Sequence, residues 1–165
     1  MILSFSLHKS PDFIFDSLTD MDKFASLHPV ITKIEDGREN KFLVHETLKL
    51  GFIPFSFTYS VTIESEVANK TVSIKATVMK MTHIEMNFSI RQEGDISIVE
   101  EIITFKSILP VKTFMEKIFR EQHTLLFQNM DRVETPFYFF TFLMVIQYSF
   151  LPPPHISKNL SIGMS

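Results

Sequence analysis

The chain has no cysteine, and that single absence removes disulfides, thiolate metal sites and a cysteine nucleophile together. It also suits a reducing compartment, so a cytoplasmic address is expected. Glycine is scarce: Gly37, Gly51, Gly94 and Gly163 are too scattered for a dinucleotide fingerprint or a phosphate-cradling loop, and no G-x-S-x-G elbow occurs. The histidines at 8, 28, 45, 83, 123 and 155 never fall at H-x-H or H-x-x-x-H spacing, so no metal-ligand motif exists and no cofactor is expected. Basic clusters are missing too, and with a net charge of -3 the chain lacks the electrostatic footprint of a nucleic-acid binder. The N-terminus, MILSFSLHKSPD, has neither the basic start nor the long apolar core of a secretory signal. Its alternation reads as a first strand.

What the chain does have is period-two patterning. In FSFTYSVTIE, residues 55–64, Phe55, Phe57, Tyr59, Val61 and Ile63 point to one side of a strand and the polar residues to the other. Strands are predicted at about 2–8, 30–35, 41–50, 55–66, 71–79, 83–91 and 96–106, separated by turn chemistry at Asp36-Gly37, 51–54, 68–70 and Gly94-Asp95. Between the first two, Ser10-Pro11-Asp12 starts a short helix running to about Leu18, and Asp20 caps a second that ends before Pro29. LPVKTFMEKIFREQHTLLFQNM then changes period: Phe114, Met115, Ile118, Phe119, Leu125, Leu126 and Met130 mark a long amphipathic helix whose wide apolar face needs the sheet to cover it. The fold class is α+β, a curved antiparallel sheet of about seven strands wrapped around a long C-terminal helix, with two short helices after strand one.

This order, together with SPDFIFDSLTDMDKFASLHP near the start and the Leu-Pro-led helix at the end, resembles the START-like superfamily, the helix-grip fold. Its members include birch-pollen-allergen-type proteins, polyketide cyclase and aromatase-like proteins, and lipid-transfer START domains. The resemblance covers roughly residues 2–130, so residues 1–130 are read as a helix-grip domain and 131–165 as a hydrophobic C-terminal tail. It implies a cavity between sheet and long helix that binds or transports a hydrophobic small molecule or lipid. Two alternatives stand beside it: a cyclase- or aromatase-type enzyme using the same cavity, and an interaction-only, co-chaperone-like module.

Phe55, Phe57, Tyr59, Val61, Phe88, Phe114 and Ile118 are the expected lining, on the inner faces of strands and helix. Glu46 shares a strand face with Phe42, Val44 and Leu48. A carboxylate there is either paired in the interior, placed at the cavity mouth, or an anchor for a polar group of the ligand. Tyr59, if buried, needs a partner for its hydroxyl, in the core or on the ligand. His45 and His83 fall on outer faces, and His28 closes the second short helix, where the resembled fold has its entrance. Glu100 and Glu101, adjacent on one strand, point to opposite faces and cannot act as a carboxylate pair. Both are expected near the wet edge or paired with a Lys or Arg on a neighbouring strand.

The tail is nearly all apolar from Phe137 to Leu151, without Asp, Glu, Lys or Arg. Fifteen helical residues reach only about 22 Å, short of a bilayer's roughly 30 Å hydrocarbon core. Membrane-surface contact or self-association through residues 137–151 is expected rather than a span.

Overall fold

The computed structural model describes residues 1–50, 52–108, 110 and 112–133. The stretch expected to touch a membrane or a second copy, residues 137–151, lies outside the described residues. No helix among those described is long and apolar enough to cross a membrane. Met1–Val133 forms one compact unit.

Strand β1, Ile2–Leu7, leads into helix α1, Pro11–Thr19, and helix α2, Met21–Leu27. Strands β2 Ile31–Asp36, β3 Lys41–Leu50, β4 Ile53–Glu66, β5 Thr71–Val78, β6 Thr82–Glu93 and β7 Ile96–Ser107 follow, and helix α3, Lys112–Arg132, completes the unit. All seven strands form one antiparallel sheet in the order β1-β7-β6-β5-β4-β3-β2. The last six make a meander, and β1 closes the far edge against β7.

Local chemistry explains the two short helices. Ser10 takes the N-cap of α1, its hydroxyl oxygen accepting from Phe13 N–H at 3.2 Å, and Pro11 occupies the first turn, where no hydrogen bond is lost. Asp20 serves twice: it ends α1, and its carboxylate accepts from the N–H groups of Asp22 and Lys23, both at 3.1 Å, to start α2. Because its carboxylate is the N-cap of α2, while its backbone N–H, which bonds Asp16 O, closes α1, Asp20→Ala is expected to cost about 1 kcal/mol, read as a lower urea midpoint at unchanged slope. His28 terminates α2 with its N–H on Phe24 O at 3.0 Å, and Pro29 prevents continuation.

The sheet's inner face carries the core. Leu3 and Leu7 of β1, Val44 of β3, Val61 and Ile63 of β4, Val72, Ile74 and Ala76 of β5, Ile84, Met86, Phe88 and Ile90 of β6, and Val99 and Ile103 of β7 are all buried. α3 covers this face. Phe127 stacks on Phe5 at 4.3 Å between ring centroids, and Phe119 meets Phe105 edge-on at 5.3 Å. Asn129 fastens the helix by donating to Leu27 O at 2.9 Å, and Asp131 accepts from His8 N–H at 2.6 Å.

β4 begins two residues earlier than its alternation suggests, taking Pro54 into the strand opposite Lys49. Proline is tolerated there because β5 pairs β4 only from Ser60 onward, which leaves the first half of β4 as a local edge.

Candidate functional site

The grip of the sheet on α3 leaves a space bounded by α2, by β2 to β6 and by the first turns of α3. The centre of a water-sized sphere has about 80 Å³ in which to move. One water needs only about 10–15 Å³ on that measure, so this is more than a packing defect. Most of the wall is aliphatic or aromatic, including Phe24, Ile31, Val44, Met86, Met115 and Phe119.

β4 supplies an aromatic row along its inner face. Phe55, Phe57 and Tyr59 lie at successive inward positions, with centroids 5.5 and 5.7 Å apart. Phe57, Tyr59 and Val61 line the cavity, as do Glu46 and Ile118. Phe55, Phe88 and Phe114 stand elsewhere. Phe55 continues the row but is 42 % exposed, because it lies where β4 has outrun β5. Phe88 points inward yet is filled over, 6.3 Å from Phe127 and 6.4 Å from the His123 ring, and belongs to the packed core. Phe114 is 50 % exposed. The buried strip of α3 runs through Gln122, His123, Leu126, Phe127 and Met130, which turns Phe114 and Leu125 toward solvent.

Set into the apolar wall is a polar belt. Glu46 is buried, and its carboxylate accepts from the Tyr59 hydroxyl at 2.8 Å and, more weakly, from Gln122 Nε2 at 3.4 Å. The two strand residues meet because Glu46 pairs with Phe57 across β3 and β4, one inward step from Tyr59. Burial pushes the Glu46 carboxyl above its ordinary pKa, opposed by its bonds to Tyr59 and Gln122 and by His123. Burial, with the Glu46 charge beside it, drives the Tyr59 hydroxyl well above its ordinary value.

Beside Gln122 on α3 stands His123, 2 % exposed, and facing it is Glu101 of β7, 0 % exposed. His123 Nδ1 lies 2.8 Å from Glu101 Oε2 and 2.7 Å from Oε1. The expectation for Glu101, a wet edge or a Lys or Arg partner, is therefore corrected. It lies on the inner row with Val99 and Ile103, and its partner comes from α3, which covers that face. Glu100 does follow the expectation, accepting from the exposed Arg91 at 2.7 Å. His45 and His83 are on the outer face, the first bonded to Glu35 and Thr58 and the second to Thr77.

His28 completes the belt, its ring 6.0 Å from that of His123 and at right angles to it. Burial, with a smaller contribution from the His123 ring, lowers its pKa from 6.5 to about 3. The folded protein thus excludes a proton that the unfolded chain takes up below pH 6.5. Stability should fall as pH drops from 6.5 toward 3, by up to about 1.4 kcal/mol per pH unit. Glu46 has the opposite sign: its raised pKa gives stability that is full below the ordinary carboxyl value and is lost as pH rises through the folded one. Urea midpoints measured from pH 7.5 down to 4.5 should show a slope in the wild-type protein that flattens in His28→Leu.

Gln122, His123, Glu101 and the cavity-facing role of His28 were not picked out as site residues from the sequence. A signal was present for two of them. Glu101 obeys the same inward period as Val99 and Ile103, and His123 falls four residues after Phe119 and three before Leu126, inside the helix's apolar strip.

No protein-family model matches the sequence, and no curated protein is significantly similar to it. Solved structures share its fold. A START superfamily protein from Mycobacterium smegmatis superposes with a TM-score of 0.64 at 16% identity, over 79% of this chain and 93% of its own. Ara h 8.0201 gives 0.59 at 16% identity, over 79% of this chain and 96% of its own. The aromatase/cyclase Zhui from Streptomyces gives 0.58 at 9% identity, over 79% of this chain and 89% of its own. The chain therefore has the START-like helix-grip fold, in agreement with the resemblance seen in its sequence.

Proposed function

We propose that this protein binds and carries a hydrophobic small molecule or lipid in the space between α3 and the sheet. The observation that supports it is the cavity itself: a space larger than any single water, with an aromatic row on one wall and aliphatic side chains around most of the rest. Burying a ligand's apolar surface against such walls is favourable by about 25 cal/mol per Å². The likeness to a START superfamily protein and to an aromatase/cyclase is consistent with a site for an apolar molecule. A cytoplasmic address goes with this reading and is supported by the absence of cysteine.

The test is a titration of the full chain with N-phenyl-1-naphthylamine, a neutral fluorophore that brightens on leaving water. Saturable binding at one site per chain, weakened in Phe57→Ala, is the expected result. Emission no higher than with an unrelated folded protein would contradict the proposal.

A second reading, catalysis of the cyclase or aromatase type, is favoured by the polar belt. Glu46, Tyr59, Gln122, His28 and His123 all line an otherwise apolar space. Glu101 holds His123 through Nδ1, which leaves Nε2 to exchange a proton with a bound molecule. On this reading His123→Gln would keep fluorophore binding and lose turnover.

A further inference from the structure

Apolar side chains left in water gather at one end of the sheet. It is the end where β3 turns into β4, β5 turns into β6, and β7 gives way to α3, brought together by the antiparallel register. Phe52, at the tip of the β3–β4 hairpin, is fully exposed and Ile53 beside it is 71 % exposed. Met79 and Met81 lie in the β5–β6 turn, Ile108 follows β7 and Phe114 opens α3, and all four are exposed. In the turns at the opposite end, Val67 is the one large exposed hydrophobic side chain among the described residues. Single exposed apolar residues are ordinary, but such a gathering at one end marks a contact surface. The β5–β6 turn adds to the case. Met79 and Lys80 both have positive φ, 52° and 58°, a conformation that Asn-Gly adopts without strain and a Met-Lys pair does not.

Charge at the same end has one sign. The segments 47–63, 76–84 and 102–115, which build it, contain Lys49, Lys80, Lys106 and Lys112 and no Asp or Glu. All four lysines are exposed, and among the described residues only Lys112 has an ion pair, with Glu116 at 4.0 Å. The turns at the opposite end and the strand ends beside them carry Asp36, Glu39, Glu66, Glu93 and Asp95, alongside Arg38, Lys41 and Lys70.

We infer that this lysine-bearing end docks on an anionic lipid surface, with Phe52 and Ile53 entering the interface and the lysines meeting the headgroups. Exposed apolar side chains set among lysines, with no carboxylate between them, match such a surface in both hydrophobicity and charge. A second copy presenting the same end would set lysine against lysine. The chain's own apolar stretch, residues 137–151, has no acidic residue to answer them. The cavity reaches this end as well: Val78 and Met115, which line it, adjoin Met79 and Phe114, and Leu48, also in its wall, pairs with Phe55. A protein seated by this end therefore sets its cavity walls beside the lipid. The inference stands on the surface and does not need the cavity to be filled.

The experiment is flotation of the full chain with vesicles of phosphatidylcholine alone and of equal parts phosphatidylcholine and phosphatidylglycerol. The chain should float with the mixed vesicles, bind plain phosphatidylcholine at least about tenfold more weakly, and leave the mixed vesicles as salt is raised, since each lysine near an anionic surface contributes about fivefold in affinity. Phe52→Ser with Ile53→Ser should weaken binding to the mixed vesicles at least about tenfold. Both side chains are exposed, so the urea midpoint should not move. Val67→Ser, the control at the other end, should bind as the wild-type protein does. Lys49→Glu with Lys80→Glu should remove most of the preference for the anionic vesicles. The inference is overturned if the wild-type chain floats with neither vesicle, or if either double variant floats as the wild type does, which would assign the contact to another part of the chain. A dimer in size-exclusion chromatography that Phe52→Ser with Ile53→Ser abolishes, without flotation of the wild type, would overturn it in favour of a second copy. None of these results depends on fluorophore binding, so the docking surface and the cavity's ligand stand or fall separately.

Discussion

His123→Leu is expected to lower the stability of the unit by about 3–5 kcal/mol, because it leaves the Glu101 carboxylate buried with no donor. Glu101 has no solvent exposure, and His123 Nδ1 is the hydrogen-bond donor it faces. At a urea slope of about 2 kcal/mol per molar, the midpoint should fall by roughly 2 M. The companion variants make the cause legible. Glu101→Gln keeps the volume and removes the charge, and should cost less than the loss of the histidine. Replacing both partners by apolar residues, Glu101→Met with His123→Leu, should recover most of the loss, since a buried pair exchanged for packed hydrophobic side chains is often neutral. A double variant as unstable as the single one would mean that the pair's worth lies in its shape, not in its charge.

Phe88→Ala is expected to cost about 3–5 kcal/mol, whereas Phe57→Ala should cost only about 1–2 kcal/mol, although both phenylalanines face inward. The difference comes from what each ring touches. Phe88 is buried among Phe127, His123 and its strand neighbours, so truncation opens a void in a filled region. Phe57 is half-buried and already borders an open space, so its loss enlarges a cavity instead of creating one. Binding should respond in the reverse order, with fluorophore affinity falling several-fold in Phe57→Ala and little in Phe88→Ala. Equal stability losses would show that the space beside Phe57 is collapsed in solution.

Phe57, Tyr59 and Val61 were legible as one inward row because strand geometry makes every second residue share a face. The same rule placed Phe55 in that row, but the cavity stops short of it. Its exposure depends on where β5 ends, at the level of Ser60, and that is a property of two strands in register that neither strand's pattern contains. Phe88 was placed on the correct face; whether a ring there meets a ligand or another ring depends on which turn of α3 lies above it, and Phe127 fills that position. The apolar residues of the helix alone place its buried strip slightly off, including Phe114 and Leu125, because the strip also takes in Gln122 and His123. Gln122 and His123 look like interruptions of an apolar strip until Glu46 and Glu101, on strands distant in sequence, are seen to need donors. A buried polar pair is two apparent exceptions that explain each other only in three dimensions. The helix caps were legible in full, since Ser10, Pro11 and Asp20 act on backbone groups within three residues of themselves.

Native mass spectrometry of the gently purified full chain shows whether the space between α3 and the sheet holds an apolar molecule. The prediction is a population heavier than the bare chain by one small molecule, which is released on collisional activation, extracts into organic solvent, and is depleted in Phe57→Ala. A spectrum with the bare chain alone, both as purified and after incubation with N-phenyl-1-naphthylamine and 1-octanol, would contradict it.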